Sequence, residues 1–306
     1  MKKVLTLAVA AFAAVILANA ENIKKTEEFH SFNTISVSNS FDITIVEGSS
    51  YSADLTIDSK IIDYCKIYVQ AGVLNLSVDE KSFPKELKSQ LRGKNSVVDL
   101  KATIHVPAQT LSGLNLVDNA VLNVHGDMTA AKNFNITITD NASVKSMKLY
   151  GEQININATK KAGFKAEIEC ENIQVATANN ATVNIEVKAA DADVKTEGSS
   201  QAFVNATLQN CKSVSSAMSK LELKGVTTQY SATGSNFANI NAEALEAQEV
   251  TVNINSCTCN VNATKQLNIT LSSGAKLVFE GTPAISIDKI ASSSVTKAAD
   301  AKAKKR

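Results

Sequence analysis

The residues of this chain that could do chemistry are few and widely spread. Three histidines, His30, His105 and His125, stand apart, and no serine or cysteine nucleophile lies in a motif about them. That leaves no legible pair of nucleophile and base. Asp118 and Asp140 are the best carboxylate candidates, because each sits two residues before a recurrent small residue and so could stack on its fellow across adjacent turns. Carboxylates lined up on one outer wall would suit polysaccharide cleavage. The column then breaks, since Lys160, Asn179 and Ser200 occupy the equivalent positions. Calcium would need about 6–8 oxygens, and no dense aspartate cluster supplies them. Asp191 and Asp193 form another same-face pair, read as solvated. No P-loop, dinucleotide fingerprint or metal-spaced His/Cys set is present, so no catalytic, cofactor-binding or metal-binding residue is assigned. The basic residues lack the aromatic interleaving expected of a single-stranded nucleic-acid binder.

Five cysteines, at 65, 170, 211, 257 and 259, are an odd number for an exported protein. Cys257 and Cys259 fall two apart in an alternating stretch, on one face, where a bridge is poorly placed. The thiols read mainly as small buried apolar residues, and a Cys170–Cys211 bridge stays open.

Export is read from the first twenty residues. Met1-Lys2-Lys3 is a basic start, residues 4–17 are almost wholly apolar, and Ala18-Asn19-Ala20 offers a small-x-small cleavage site. That is the pattern of a secretory signal peptide cut after Ala20, and its apolar run is shorter than the roughly 20 residues of a membrane span. No second run of spanning length follows, so the mature chain is expected to have no transmembrane segment. The 306 residues carry 31 basic and 30 acidic side chains, for a net charge of +1. This balance argues against an electrostatic nucleic-acid binder. Residues 291–306 end in a lysine-rich stretch and are expected to be a disordered basic tail.

The elements that would position any site show a repeat. Nine segments of the form small-x-apolar-x-(apolar or small) begin at Ala120, Ala142, Ala162, Ala181, Ala202, Ser219, Ala238, Cys259 and Ala275. Their steps are 22, 20, 19, 21, 17, 19, 21 and 16 residues. Between them lie further alternating runs, such as Phe134-Asn-Ile-Thr-Ile138 and Val250-Thr-Val-Asn-Ile254. Period-two alternation means half-buried strands, and the helical period is nearly absent. Short strands on a period of about twenty residues exclude a propeller, whose blade needs about forty. They predict an all-β, single-stranded parallel β-helix, a solenoid of ~20-residue coils stacked ~4.8 Å apart. Small residues would mark its corners, and the amides or polar residues just before them (Asn119, Asn141, Lys161, Asn180) would take the left-handed conformation and stack. The Asn-x-Thr/Ser triplets follow from this alternation and carry no glycan meaning.

The N-terminal third differs. Residues 41–57 read as two strands around a glycine-containing turn, residues 68–78 as a hairpin, and residues 97–106 as a strand stopped by Pro107. A short helix is expected after Pro84. The resulting division is a signal peptide over 1–20, a linker over 21–34, an irregular β cap with the first coils over 35–111, β-helix repeats over 112–290 and the tail.

Ile35-Ser-Val, Phe41-Asp-Ile-Thr-Ile-Val-Glu-Gly and Thr103-Ile-His-Val-Pro, followed by repeats such as Thr139-Asp-Asn-Ala-Ser-Val and Ser272-Ser-Gly-Ala-Lys-Leu-Val-Phe, resemble the putative autotransporter adhesin head GIN domain family. The resemblance covers about 35–290. It implies a β-helical protein of the Gram-negative cell envelope, in the periplasm or at the cell surface, and brings no catalytic residues. The 290–306 segment is too short for a translocator barrel. The function expected is a non-catalytic, adhesin-like interaction module that binds a surface glycan or protein along its polar wall, with no cofactor; its ligand and oligomeric state are not read from the sequence. The alternatives are a polysaccharide-active enzyme with a shallow Asp site and a purely structural envelope protein.

Overall fold

The structure, a computed structural model, describes residues 22–91 and 99–298. The leader, its cleavage site after Ala20 and residues 299–306 of the expected tail lie outside the described residues. The chain is a parallel β-solenoid of about 10 turns, 68% strand and 5% helix, which bears out the predicted class.

The first part contains β1 (Asn22–Glu28), β2 (Thr34–Val37), β3 (Asp42–Glu47), β4 (Ser52–Asp58), β5 (Cys65–Gln70), β6 (Val73–Val78), a short helix α1 (Lys85–Leu91) and β7 (Leu100–Val106). Helix α1 starts just after Pro84, as the sequence suggests. β5 and β6 pair antiparallel across the Ala71-Gly72 turn and form the expected hairpin. β3 and β4 do not form one. β7 inserts between them, parallel to β3 and antiparallel to β4. Alternation had marked both strands correctly, but it carries no information on which distant strand pairs with which. The expected linker is corrected as well: residues 22–28 are β1, the antiparallel neighbour of β4. Ile23 and the other alternate residues of β1 gain the open edge of β4, a better place for their backbone groups than water.

The coils then run through β8 (Gly113–Leu116), β9 (Val121–Thr129), β10 (Asn133–Ile138), β11 (Ser143–Ala158), β12 (Gly163–Thr177), β13 (Thr182–Lys188), β14 (Asp191–Thr196), β15 (Gln201–Ser215), β16 (Lys220–Gly234), β17 (Asn239–Asn255), β18 (Thr258–Ser272), β19 (Lys276–Glu280), β20 (Ala284–Ile290) and β21 (Ser294–Lys297). They build two walls. The first wall stacks β3, β9, the leading halves of the long strands, β13, β19 and β21. The second stacks β2, β8, β10, the trailing halves, β14 and β20. Many strands are 15–17 residues long because the chain bends from one wall to the next without breaking its pairing. The coil also continues past 290, since β21 pairs with β19; residues 294–297 are therefore not part of a disordered tail.

Each coil closes at a corner. Asn39, Asp118, Asp140, Lys160, Asn179, Gly198, Ala217, Asn236, Ser256, Ser273 and Ser292 form a column of left-handed residues, with φ between 50° and 69°. Behind them sit Ala120, Ala142, Ala162, Ala181, Ser200, Ser219, Ala238, Cys257 and Ala275, all buried. In seven of them, all but Ser200 and Cys257, the N–H closes the turn on the residue three before, as Ala142 does on the carbonyl of Thr139 at 3.2 Å. Two predicted corner residues shift by two: Ala202 lies beside Val183 and Leu221, and Cys259 beside Ile240, so Ser200 and Cys257 hold the corners. The left-handed residue is also one earlier than expected, at Asp118 and Asp140 instead of Asn119 and Asn141.

The interior is a set of apolar columns, such as Ile136, Ile156, Val175 and Val194, each buried to 3% exposure or less. Where small hydroxyl residues replace alanine they satisfy one another. Thr177 bonds Ser200 at 3.0 Å, and Thr196 bonds Ser215 at 2.8 Å and Ser219 at 3.0 Å. Unpaired, such buried hydroxyls would cost about 1–3 kcal/mol each.

Candidate binding wall

Side chains at odd positions of the second wall point outward, and the parallel register stacks like on like. One column runs Asn133, Gln153, Asn172, Asp191, Asn210, Gln229, Glu249 and Gln266. The next runs Asn135, Asn155, Gln174, Asp193, Lys212, Ser231, Thr251 and Asn268. Amides stacked this way bond along the column: Asn155 Nδ2 donates to Asn135 Oδ1 at 3.0 Å, and Asn210 Nδ2 to Asp191 Oδ1 at 2.7 Å. Such bonds hold the planes of the side chains and leave further donors and acceptors facing solvent. Asn135, Asn155, Asn157, Gln174, Lys195 and Lys212 line a shallow depression of about 550 Å³ on this wall.

The first wall is more heavily charged. Asp127, Lys148, Glu167 and Glu186 stack in one column, and Tyr150, Glu169 and Lys188 in another. All of these but Asp127 line a smaller depression of about 250 Å³. Lys148 pairs with Asp127 at 3.3 Å and Lys188 with Glu169 at 2.9 Å. The Lys148 ammonium also lies 5.5 Å from the centre of the Tyr150 ring. The hydrogen bonds that this ammonium donates to Tyr150 and Asp127 hold it above the usual lysine range.

Asp118 and Asp140 do stack at successive corners, as the sequence suggested, but each has its own partner. An Asp118 carboxylate oxygen accepts the backbone N–H of Asn39 at 3.1 Å, and Asp140 accepts Lys160 Nζ at 2.6 Å. Asn141 Nδ2 donates to Asn119 Oδ1 at 3.2 Å, the amide stack expected at the corners. Asp191 and Asp193 are exposed on the second wall, side by side with Asn210 and Lys212. His30 and His125 are exposed and apart. His105 lies on the cap, its Nε2 3.0 Å from Asp54 Oδ2, while Thr26 Oγ1 donates to Asp54 Oδ1 at 2.6 Å. The Thr26 and His105 bonds hold the Asp54 carboxyl below its ordinary range. No group of three or more His, Cys, Asp or Glu among the described residues could hold a metal ion.

The amide columns and the Glu167–Glu186 stack are not legible along the linear sequence. The signal was present as residues recurring every 19–20 positions on the outward face, but it appears only when the coils are aligned on the true corners.

All five thiols are free. Cys170 and Cys211 are separated by the whole coil of β13 and β14 and are out of register, Cys211 stacking through Ala192 on Ile173; two strand spacings alone are roughly 9–10 Å, beyond the reach of a disulfide. No helix among the described residues is long and apolar enough to cross a membrane.

A family model described as putative auto-transporter adhesin, head GIN domain, matches residues 31–209 and 165–283. Among solved structures, a putative adhesin from Parabacteroides distasonis ATCC 8503 is similar with a TM-score of 0.52 and 14% identity, over 92% of this chain and 98% of that one. A putative adhesin from Parabacteroides merdae ATCC 43184 is similar with a TM-score of 0.50 and 14% identity, over 94% of this chain and 100% of that one. At such identities the likeness speaks for the fold. No curated protein matches.

Proposed function

This chain belongs to the putative auto-transporter adhesin head GIN domain family, and on that premise we propose that it is a non-catalytic, exported interaction module of the Gram-negative envelope, binding a glycan or protein along its second wall. The observation that carries this reading is the stacked amide face over residues 133–174, with its depression of about 550 Å³. Stacked amides offer donors and acceptors at each coil, about every 4.8 Å, without the desolvation cost that a row of charges would impose. Solenoids characteristically present broad surfaces of this sort to partners. Export rests on the leader at residues 1–20.

Two measurements test the proposal. Protease treatment of intact cells should cut or release the protein if it reaches the exterior; protection until the outer membrane is opened would sink the adhesin role and leave a periplasmic partner to be found. On purified protein, Asn155→Lys with Asn157→Lys puts two charges into the wall without touching the core. Ligand binding found with whole cells, matrix proteins or glycan arrays should drop at least tenfold, about 1.4 kcal/mol. Unchanged binding would move the site elsewhere.

A further inference from the structure

The corner column changes character along the solenoid. Four of its first six turns carry charge, through Asp118, Asp140, Lys160 with Lys161, and Glu197. From residue 215 onward it has none: Ser215–Ser219, Gly234–Ala238, Asn255–Thr258, Ser272–Ala275 and Ala291–Ser293 hold only small, hydroxyl, amide, thiol and apolar groups. Two of these turns have consecutive left-handed residues, Ala217-Met218 with φ 55° and 64°, and Asn236-Phe237 with φ 52° and 65°. The same pattern recurs at Ser273-Gly274, where the second place is a glycine. Methionine and phenylalanine are poor choices for that conformation, which bulky side chains avoid.

Nor are these side chains hidden. Met218 is 69% exposed and Phe237 79%. They stand one coil apart, about 4.8 Å by strand spacing. Each is fixed by a backbone bond to the following coil: Met218 N–H to the Asn236 carbonyl at 3.1 Å, and Phe237 N–H to the Ser256 carbonyl at 2.8 Å. A single exposed apolar residue needs no explanation. Two in strained positions, on adjacent and rigidly bonded turns, point to use.

We propose that the Met218–Phe237 ridge is a contact site for a neutral glycan, a pyranose ring lying on the Phe237 face while exposed amides and hydroxyls beside it (Thr233, Asn236, Asn253, Asn255) meet the sugar hydroxyls. This rests on the interaction-module reading above and narrows its partner. The surroundings select the class. An anionic glycan or lipid surface would call for Lys or Arg at the ridge, and these turns have none. The cation next to Met218 in sequence, Lys220, is engaged on the first wall, 5.2 Å from the Phe203 ring centre and 3.8 Å from a Glu222 carboxylate oxygen. An aromatic face beside neutral hydrogen-bonding groups matches a sugar, which has an apolar ring face and a hydroxyl rim.

The test uses the full mature chain with Met218→Asn and Phe237→Asn together, and a second variant, Phe237→Trp. Asparagine tolerates the left-handed conformation, so Tm should hold or rise and lost binding cannot be blamed on misfolding. Calorimetry would use neutral gluco-, manno- and galacto-oligosaccharides, an acidic oligogalacturonate, and phosphatidylcholine vesicles. The expected result is binding to at least one neutral sugar, at least tenfold weaker in the double variant and retained with Phe237→Trp. Equal binding by wild type and double variant overturns the ridge, and the wall variant at 155 and 157 then reports whether the wall holds the sugar alone. Preference for the acidic sugar, ridge-dependent binding to vesicles, or no sugar binding at all also overturns it; a protein partner on the wall would survive the last outcome.

Discussion

At the scale of single residues the thiols are the sharpest test of how far burial controls chemistry here. Burial pushes the Cys211 thiol up to about 12, with the nearby Asp193 carboxylate adding to it, and Cys257 up to about 11. Cys259, fully enclosed, is also raised. Each shift favours the neutral thiol in the folded chain, so the sign is that of an acid whose folded pKa exceeds its unfolded value. Below pH about 8.5, where both states hold the proton, these groups leave stability unchanged. As pH rises past that value the unfolded state loses protons first, and stability falls. In the native protein at pH 8, Cys211, Cys257 and Cys259 should therefore resist a thiol reagent such as DTNB, and all five cysteines should react after unfolding in guanidinium. Fast labelling of any of those three in the native state would contradict their burial. Reading the thiols as buried apolar groups was possible from sequence for these three, because they alternate with polar neighbours. Cys65 and Cys170 are only half-buried: Cys65 shares the half-buried face of β5, and Cys170 lies where the alternation of β12 is interrupted. Counting stacks Asp118 on Asp140 and puts Lys160 next in the column, but it does not find Asn39, the partner of Asp118, which precedes the whole cap insertion.

Elements explain why the register was only partly readable. Along a strand, i and i+2 face the same way, so Ala202 imitates the corner residue Ser200, and Cys259 imitates Cys257. A buried serine at a corner breaks the apolar pattern that a reader follows, although in space its hydroxyl is satisfied by Thr177. The bends that join the two walls were also hidden, because pairing continues through them and no Pro or Asn-Gly marks the place. One such bend can be tested directly. Gly225, in β16, has φ 107°, and a Cβ added there would meet the Ala206 carbonyl oxygen at 2.0 Å. That oxygen belongs to the backbone of the preceding coil, so neither partner can move without breaking the stack. Gly225→Ala should lower stability by roughly 2–4 kcal/mol, measured as a shift of the urea midpoint. A change below 1 kcal/mol would mean that the bend can relax into another conformation. Gly126, by contrast, has open space around its Cβ direction, and the strain of its φ of 84° is the only cost there.

Across the whole molecule the two ends are unlike, and this has a measurable consequence. A solenoid is held by contacts between neighbouring coils, so a terminal coil has half the support of an internal one. At the N-terminal end β1, β4 and β7 extend the first wall, β5 and β6 extend the second, and Phe83 and Leu87 add apolar cover, each 8% exposed. At the other end β20 pairs on one side only among the described residues, and all seven of its residues are exposed. Ile287 continues the interior column of Ile269, yet it is 56% exposed where Ile269 is 0%. Two substitutions of the same type, one coil apart, should therefore differ by several kcal/mol. Ile269→Lys buries a charge with no partner and should unfold the coils around it, a loss above ~4 kcal/mol. Ile287→Lys keeps its ammonium in water and should stay within about 0.5 kcal/mol of wild type. Hydrogen exchange should follow the same order, with β20 and β21 exchanging before β15 to β18. A large loss from Ile287→Lys, with slow exchange in β20, would mean that this end is covered in solution, and the symmetry of support along the solenoid would then have to include whatever packs upon it.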